Sequence, residues 1–519
     1  MTVATRNSMV LRLSVFLYIL PPVLFAWYLQ STPESTLFEL TRRLTPFPSA
    51  EQRQALLSDL EDPFSHDWQH LFQDQKSFYS RVNMENDQSI PHQPSSPSVV
   101  HVIVLVHGWL GNPLEMNSIK ESLVDAIDQQ EKASHHDFVV HSAVCNDGKT
   151  TDGIVAGGKR LAAEINSLLR FVVHGNPNAS VTLSICGNSL GGLYARRALA
   201  DIDWTVPLNE SKENDENHAT KTTTTPPSSS TSTSINPLLF VTTATPHLGV
   251  SQHTYIRLPR AVEYPIAQIL DQTGRDLFRF SNVLEEMTYD DAYIEPLQNF
   301  QQRIAYANVY GTDFQVPTPT AAFWALDSDS PHEVVDVSDD KTNNPPDTVV
   351  LTLQTPQRPP PKNNYNIQHT EQDPTKRFQE WSQQLDRLGW TKVLVDVREH
   401  VPQVSVWSSS TSSSGDDAST TSNKSWSNKP KWTAHELLKE FGTGLLATAT
   451  LGFSGKMRIP LGHTVMVANA KDKLNKWLTI GGKPVMDWLA ASMVQSTQRL
   501  SGWDLPDKLT GKIEENKKP

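Results

Sequence analysis

The sequence has 519 residues, of which 38% are hydrophobic, and its formal net charge is −12. This length accommodates one large α/β domain with additional segments. The acidic balance argues against nucleic-acid binding, which usually requires a basic surface. The two cysteines, Cys145 and Cys186, each end an apolar run, so we predict two buried free thiols and no disulfide framework.

The first 30 residues carry a pattern typical of a membrane segment. Arg6 and Arg12 precede an uncharged stretch at 13–29, which is the layout of a signal anchor or a secretory signal. At about 1.5 Å per residue, this stretch barely spans a hydrocarbon core of roughly 30 Å. No good cleavage site follows it, so a retained single-pass anchor over residues 1–30 is preferred to a cleaved signal or a buried or disordered leader. The charge distribution then predicts a lumenal enzyme in the endoplasmic reticulum or secretory pathway.

Polar and low-complexity segments divide the rest of the chain. Residues 31–96 are predicted to be a linker region, 97–500 an α/β domain and 501–519 a charged tail. Three inserts within the domain lack the apolar residues that would offset the entropy of ordering, so we predict that they are disordered. These inserts lie near residues 209–234, 327–373 and 408–427.

Strand-like and helix-like segments alternate through the remaining chain. Val99–Val106 is almost continuously apolar, as expected of a parallel strand that is buried on both faces. A helix should follow, with Asn112 as its N-cap and Glu115 completing a capping box. Further strands are predicted at 138–144, 181–186, 238–243, 304–310 and 392–397, and helices around 161–172 and 190–200. This alternation predicts a doubly wound, mostly parallel sheet with functional residues at the carboxyl ends of its strands.

The segment Gly187-Asn188-Ser189-Leu190-Gly191 joins a predicted strand directly to a predicted helix. Such a tight turn pushes the serine into a strained, exposed position, and a side chain at either glycine would collide with a neighbouring strand or helix. The five-residue pattern alone is weak, but its place between a strand and an amphipathic helix indicates a nucleophile. We therefore predict that Ser189 is the nucleophile; a purely structural turn is the alternative.

A second glycine-containing loop, His107-Gly108-Trp109-Leu110-Gly111, closes the first predicted strand. An acyl-transfer enzyme needs two backbone N–H donors for its developing oxyanion. We predict that the N–H groups of Leu190 and Trp109 supply them. An ordinary turn is again the alternative.

Several motifs together resemble the lipase-like serine esterases of the α/β-hydrolase superfamily. They are VLVHGWLGNP, CNDGKTTDGIVAGGKRLAAEI, CGNSLGGLYARRAL, VTTATPHLGV, YANVYGTDFQVP, PLGHTVMVAN and GGKPVMDWLA. They follow the family's order between residues 99 and 490. The resemblance implies an α/β-hydrolase fold and the hydrolysis of lipid acyl esters. The long inserts and the N-terminal segment depart from the family pattern.

A serine nucleophile needs a histidine to accept its proton and a carboxylate to orient that histidine. Asp313 stands where the family's motif has its acid, whereas Asp290 and Asp291 fit less well. His463 lies in the family's histidine-containing motif and is preferred as the base. His400, just beyond a predicted strand, is where a generic hydrolase would place its base, and it stays an alternative.

Two other histidines occur in family motifs, and neither is predicted to be the base. His247 is expected to line the pocket or to satisfy backbone groups, and His107 to be structural. No ligand cluster with suitable spacing occurs, so no metal or cofactor is expected. Residues 441–453 form either a mobile lid or lipid-docking loop, or a packed helix.

The residues together predict a serine hydrolase that cleaves lipid acyl esters through an acyl-enzyme intermediate. Its expected partners are an ester substrate and the membrane, without nucleic acid. The same triad also serves thioesterases, acyltransferases and deacylases of lipid-linked proteins. A non-catalytic membrane scaffold with a hydrolase fold is the remaining alternative.

Overall fold

A computed structural model describes most of the predicted α/β domain. The described residues are 99–130, 136–208, 232–251, 259–309, 313, 316–324, 330–335, 345–359, 374–401, 403–405, 456–458 and 462–501. Five predicted features lie outside them, namely the anchor at 1–30, the linker at 31–96, the insert at 408–427, the segment at 441–453 and tail residues 502–519. Within the described ranges, no helix has the length and hydropathy needed to cross a membrane.

A nine-stranded, mostly parallel sheet lies at the centre of the described residues. Its strands are β1 (Val99–Val106), β2 (His136–Ser142), β3 (Ser180–Asn188), β4 (Thr205–Pro207), β5 (Ser232–Thr243), β6 (Gln302–Asn308), β7 (Glu333–Val334), β8 (Val349–Gln354) and β9 (Thr391–Val395). The order is β2-β1-β3-β5-β6-β9-β8-β7, and the first six of these are parallel. Three antiparallel strands complete it, with β4 on β5, β8 on β9 and β7 on β8. A separate antiparallel pair joins β10 (Gln403–Ser405) to β11 (Lys456–Arg458).

Helices connect these strands and cover both faces of the sheet. They are α1 (Asn117–Gln130), α2 (Ile154–Gly175), α3 (Leu190–Ala198), α4 (Arg260–Ile269), α5 (Asp271–Leu277), α6 (Val283–Tyr289), α7 (Asp291–Asn299), α8 (Thr318–Ala321), α9 (Pro374–Asp386), α10 (Gly462–Met466), α11 (Lys473–Thr479) and α12 (Lys483–Leu500). Short 3₁₀ helices occupy Pro113–Met116, Leu199–Asp201 and Ile480–Gly482.

Successive residues of β1 show how the sheet is buried on its two faces. Val102 and Val104 pack in one cluster with apolar residues of α2 and α3. Ile103 and Leu105, which point to the opposite face, pack in a second cluster with residues of α1 and α12. A strand covered on both sides has no face exposed to water, which explains the almost continuous apolar run in its sequence. The predicted α/β fold with a mostly parallel sheet is confirmed.

The insert near 327–373 was predicted to be disordered, and this prediction is wrong for part of it. Glu333–Val334 and Val349–Gln354 form β7 and β8, which extend the sheet beyond β9. The sequence VVLTLQ of β8 is rich in β-branched and apolar residues, and Leu353 is completely buried. Pairing and burial therefore offset the ordering entropy here. In the insert near 209–234, the last three residues belong to β5, and residues 209–231 lie outside the described part.

Candidate active site

The turn between β3 and α3 has the strained geometry that the sequence predicts. Ser189 adopts φ 54° and ψ −125° between the end of the strand and the first residue of the helix, which is a rare conformation for a residue with a side chain. Its N–H donates to the carbonyl of Thr243 over 2.8 Å. The prediction of an exposed serine is wrong, because only 8% of the residue is accessible. The loop after β1 covers it, since a Cβ at Gly108 would lie 2.8 Å from the Ser189 Cβ.

Close backbone approaches at this turn require two glycines. A Cβ at Gly187 would lie 2.6 Å from the backbone N and Cα of Gly192. A Cβ at Gly191 would lie 2.6 Å from the carbonyl oxygen of His107 and would also collide with that of Val106. The steric reason given for these glycines is confirmed, since α3 runs directly against the end of β1.

Side chains from three segments hold the loop that follows β1. The N–H of Gly108 donates to Glu115 Oε1 over 2.9 Å, and the N–H of Leu110 donates to Thr150 Oγ1 over 2.9 Å. The Lys471 ammonium donates to the carbonyl of Leu110. The N–H and the carbonyl of Leu110 are therefore both hydrogen-bonded. These bonds hold the residue at a φ of 53°, a backbone conformation that residues with a side chain rarely adopt.

Two N–H groups near Ser189 remain available for a ligand. They are those of Trp109 and Leu190, neither of which donates to an acceptor within the described part of the chain. The N–H of Gly108, in contrast, is used by Glu115. Buried backbone N–H groups normally have a hydrogen-bond acceptor. Two N–H groups without an acceptor, on segments next to the strained serine, are therefore suited to stabilise a developing negative charge.

Asp313 and His463 are brought together although they lie far apart in the chain. His463 Nδ1 lies 2.9 Å from Asp313 Oδ2, and both side chains are buried. The Asp313 carboxylate also accepts from the N–H of Val316 over 2.8 Å and from Asn308 Nδ2 over 3.1 Å. With its acceptor positions filled in this way, the carboxylate is held in one orientation and fixes that of the imidazole.

The pKa of the His463 imidazole reflects two opposing influences. Burial by itself would lower the pKa, because it disfavours the charged form. The charge and hydrogen bond of Asp313, followed by the charge of Glu115, outweigh burial, so the pKa is raised above its ordinary value.

Glu115 does not have the role that the sequence predicts. Asn112 does cap the first helical turn by accepting from the N–H of Leu114, but the Glu115 carboxylate forms no capping box with it. Only 5% of Glu115 is exposed, and its Oε1 accepts from Asn188 Nδ2 over 2.7 Å as well as from Gly108. The carboxylate turns inward because these buried donors have no access to water. The sequence signal for this role is a glutamate seven residues after the glycine of the His-Gly loop.

The other candidate residues lie apart from this group. The His400 side chain lies against Gly481, whereas the imidazole bonded to Asp313 belongs to His463. Asp290 caps α7 by accepting from the N–H of Ala292. Cys145 and Cys186 are buried free thiols, as predicted, and burial raises the pKa of the Cys186 thiol to about 12.

His247 lies in the core of the protein. It is completely buried, with its ring edge-on to Phe323 and Trp390 at centroid distances of 5.3 and 5.4 Å. Its Nε2 lies 3.0 Å from Thr242 Oγ1. Burial first, and then the charges of Arg196 and Lys392, lower its pKa well below the ordinary value, so it is neutral. His107 is also buried and contacts the Gly108 carbonyl through Nδ1 at 3.1 Å, which fits a structural role.

No group of three or more metal-ligating side chains is found in the described ranges. His463 and Asp313 meet in one hydrogen bond, and the Glu115 carboxylate, whose charge acts on His463, also accepts from Asn188 next to Ser189. A serine, an imidazole, a carboxylate and backbone N–H donors are the groups that move a proton and stabilise an oxyanion in acyl transfer.

Parts of the chain are similar to known proteins. A putative lipase of Schizosaccharomyces pombe is 26% identical over 248 residues, covering 46% of this chain and 28% of the lipase. The chain thus spans 28% of the length of that relative. Among solved structures, a gene product of Listeria innocua is 11% identical, with a TM-score of 0.23, covering 44% of this chain and 78% of its own. Residues 96–323 match the family described as putative serine esterase (DUF676). The resemblance drawn from the motifs is confirmed over these residues.

Proposed function

We propose that this protein is a serine hydrolase of the α/β-hydrolase fold, that it cleaves carboxylic esters, and that its substrates are lipid acyl esters. Ser189 is the nucleophile, His463 the general base and Asp313 the acid that orients it. The observation that carries the proposal is the 2.9 Å hydrogen bond between His463 and Asp313, formed at the sheet edge where the strained Ser189 turn also ends.

The edge is shared because the carboxyl ends of four neighbouring strands are in register. Backbone bonds link Ser189 to Thr243, Ala244 to Tyr306, and Val309 to Val395. These bonds run across β3, β5, β6 and β9 just where each strand ends. Residues that follow these strands therefore emerge side by side, which supports a role for Ser189 and Asp313 in one reaction.

In the first half of the reaction, the Ser189 oxygen attacks the ester carbonyl carbon. Because His463 donates through Nδ1 to Asp313, its Nε2 carries the lone pair that accepts the serine proton. The carbonyl π bond opens to an oxyanion, which the N–H groups of Leu190 and Trp109 stabilise. When the carbonyl reforms, the bond to the alkoxy group breaks, and this leaving group takes the proton from His463.

The second half releases the acyl group. His463 removes a proton from water, which attacks the acyl-enzyme carbonyl and forms a second tetrahedral intermediate. Its collapse breaks the bond to the Ser189 oxygen, which recovers the proton from His463. The carboxylic acid leaves, and the enzyme returns to its starting state.

The substrate class rests on the family and on the relative named as a lipase, since the chemistry alone fits other acyl groups equally well. The N-terminal anchor and the location in the secretory pathway belong to the same proposal. They rest on the sequence of residues 1–30.

Labelling by a fluorophosphonate probe tests the proposal directly. The wild-type protein should be labelled and should hydrolyse p-nitrophenyl esters, and Ser189→Ala should lose both activities. His463→Ala should also lose turnover, whereas the matched variant His400→Ala should keep it. A folded wild-type protein that neither reacts with the probe nor turns over any ester would be a scaffold and would contradict the proposal.

A substrate panel then tests the acyl class. Glycerolipids and phospholipids of varied chain length are compared with acyl thioesters and with an added alcohol acceptor. Preference for the oxygen esters supports a lipase-like enzyme. Faster cleavage of thioesters, or transfer to the alcohol, would identify one of the other acyl-transfer activities.

A further inference from the structure

The Glu115 carboxylate lies between the two segments that surround Ser189. One oxygen, Oε1, accepts from the N–H of Gly108 at 2.9 Å and from Asn188 Nδ2 at 2.7 Å. Gly108 precedes the N–H donor Trp109, and Asn188 precedes the nucleophile. A single acceptor atom therefore links the loop after β1 to the turn after β3.

Contacts on two sides fix the position of the Glu115 carboxylate. Asn188 cannot rotate freely, because its Oδ1 accepts from Thr243 Oγ1 over 2.9 Å and thereby directs Nδ2 towards Glu115. On the other side, Gly111 lies against Glu115 Oε2, where a Cβ would collide with the oxygen. The loop is therefore folded closely around the carboxylate.

A negative charge at this place also acts on His463. The charged groups that influence the imidazole are Asp313, which is bonded to it, and Glu115, which acts through space. Both favour the protonated imidazole. In the proposed reaction, that form appears in the transition state, when the proton leaves Ser189.

We propose that Glu115 is a positioning residue that aligns the Trp109 N–H with the Ser189 oxygen and places a second negative charge beside His463. This inference rests on the proposed function for its catalytic meaning. The two effects have different requirements, since alignment needs an acceptor atom and charge stabilisation needs an ionised group.

Two variants separate these effects. Glu115→Gln keeps an acceptor oxygen for Gly108 and Asn188 but removes the charge. We expect kcat to fall by about tenfold or less, and the acid limb of the pH profile to move to lower pH, because neutral His463 then persists to lower pH. Glu115→Leu removes the acceptor as well, so kcat should fall by about 100-fold or more, as for loss of an oxyanion donor, while KM changes little.

Glu121→Gln is the matched control. It removes one negative charge from α1, six residues further along the chain, where the Glu121 side chain is 55% exposed and its carboxylate lies 3.9 Å from the Lys476 ammonium. Its kcat and its pH profile should equal those of the wild type. Full activity in a folded Glu115→Leu variant, or an unshifted pH profile in Glu115→Gln, would overturn the inference.

A readout without turnover keeps the inference separate from the proposed function. The proton in the His463–Asp313 hydrogen bond should give a low-field NMR resonance that is absent in His463→Asn. Its pH titration should show a lower His463 pKa in Glu115→Gln than in the wild type or in Glu121→Gln. If the wild type hydrolyses no ester, the proposed function fails, yet this titration still decides whether Glu115 acts on His463. Because the titration uses Glu115→Gln, it also tests the effect of Glu115 on His463 if Glu115→Leu does not fold.

Discussion

Asp313 and His463, 150 residues apart in the chain, are joined by a hydrogen bond of 2.9 Å between Oδ2 and Nδ1. Asn308, the last residue of β6, and Val316, in the segment that follows, donate to the same carboxylate. The acid is thus held by donors from its own segment as well as by the imidazole. His463 lies in α10, and Val465 of the same helix packs in the hydrophobic cluster that includes residues of α1 and α12. The pair therefore connects the end of the sheet to the C-terminal helices.

Replacing Asp313 by Asn should remove most of the activity while leaving the fold intact. The amide can still occupy the space and can still accept from Val316, but it carries no charge and can present its NH₂ group to His463. The imidazole would then take the wrong tautomer, which lowers kcat by about 10⁴-fold in enzymes with such a triad. Steady-state kinetics on a p-nitrophenyl ester measures the effect.

The control for this variant is Asp290→Asn. Asp290 is an exposed N-cap of α7, and Asn caps helices about as well as Asp does, so kcat should not change. An Asp313→Asn variant with nearly wild-type kcat would show that Asp313 has no part in the reaction.

The pH dependence of activity should follow the raised pKa of His463. The base must be neutral to accept a proton, so kcat/KM should fall on the acid side with an apparent pKa above the ordinary histidine value of about 6.5. Burial opposes the shift, but Asp313 and Glu115 produce it. A profile whose acid limb lies well below that value would contradict this electrostatic balance.

The same shift has a consequence for stability. Because folding raises the His463 pKa, the folded state binds the proton more tightly than the unfolded chain does. This contribution to the free energy of unfolding is fully present below the unfolded pKa and is lost as the pH rises through the folded pKa. His463→Gln should therefore flatten the pH dependence of denaturant unfolding in this window.

The parallel strands and the Ser189 turn could be predicted because local sequence carries their signal. An apolar run such as Val99–Val106 can be buried on both faces only as an inner strand, and Gly187 and Gly191 mark the close approach at the turn. Family resemblance supplied Asp313 and His463, whose proximity depends on the whole fold. Whether Ser189 and His463 act together remains a prediction for the kinetics.

Other features depend on partners that are distant in sequence, and these were missed. Glu115 follows Asn112 at the spacing of a capping box, but two buried donors from elsewhere compete for its carboxylate. The burial of Ser189 comes from Gly108, which no local pattern places there. β7 and β8 lie in a polar, proline-rich segment, and their order depends on pairing next to β9.

Gly191→Ala should destabilise the protein, whereas Gly175→Ala should not. A Cβ at 191 meets the backbone carbonyls of Val106 and His107, which cannot move without displacing β1. Overpacking of this kind costs about 1–3 kcal/mol or more. At Gly175, the last residue of α2, a Cβ meets nothing within 4 Å. The free energies of unfolding in urea measure both effects, and equal values for the two variants would refute the steric argument.

A buried ion pair that involves a residue of β9 gives the last prediction. Lys392 is completely buried, and its ammonium lies 2.5 Å from Asp386 Oδ1 and 2.8 Å from His332 Nε2. Replacing Lys392 by Met leaves the Asp386 carboxylate buried without its cation, which typically costs about 3–5 kcal/mol. The double variant Lys392→Met/Asp386→Leu should recover part of this loss, since no charge then remains uncompensated.

The pH dependence of the single variant distinguishes an electrostatic loss from a packing defect. In the wild type, burial and then the Lys392 charge lower the His332 pKa to about 4, so His332 is neutral. Without Lys392, His332 can protonate and pair with Asp386, whose Oδ2 lies 3.8 Å away. The Asp386 charge should then raise the folded His332 pKa, so this ion pair stabilises the variant at low pH and is lost as the pH rises through the folded pKa. Lys392→Met should therefore be less destabilised in acid than in base, whereas a pure packing defect would cost the same at both.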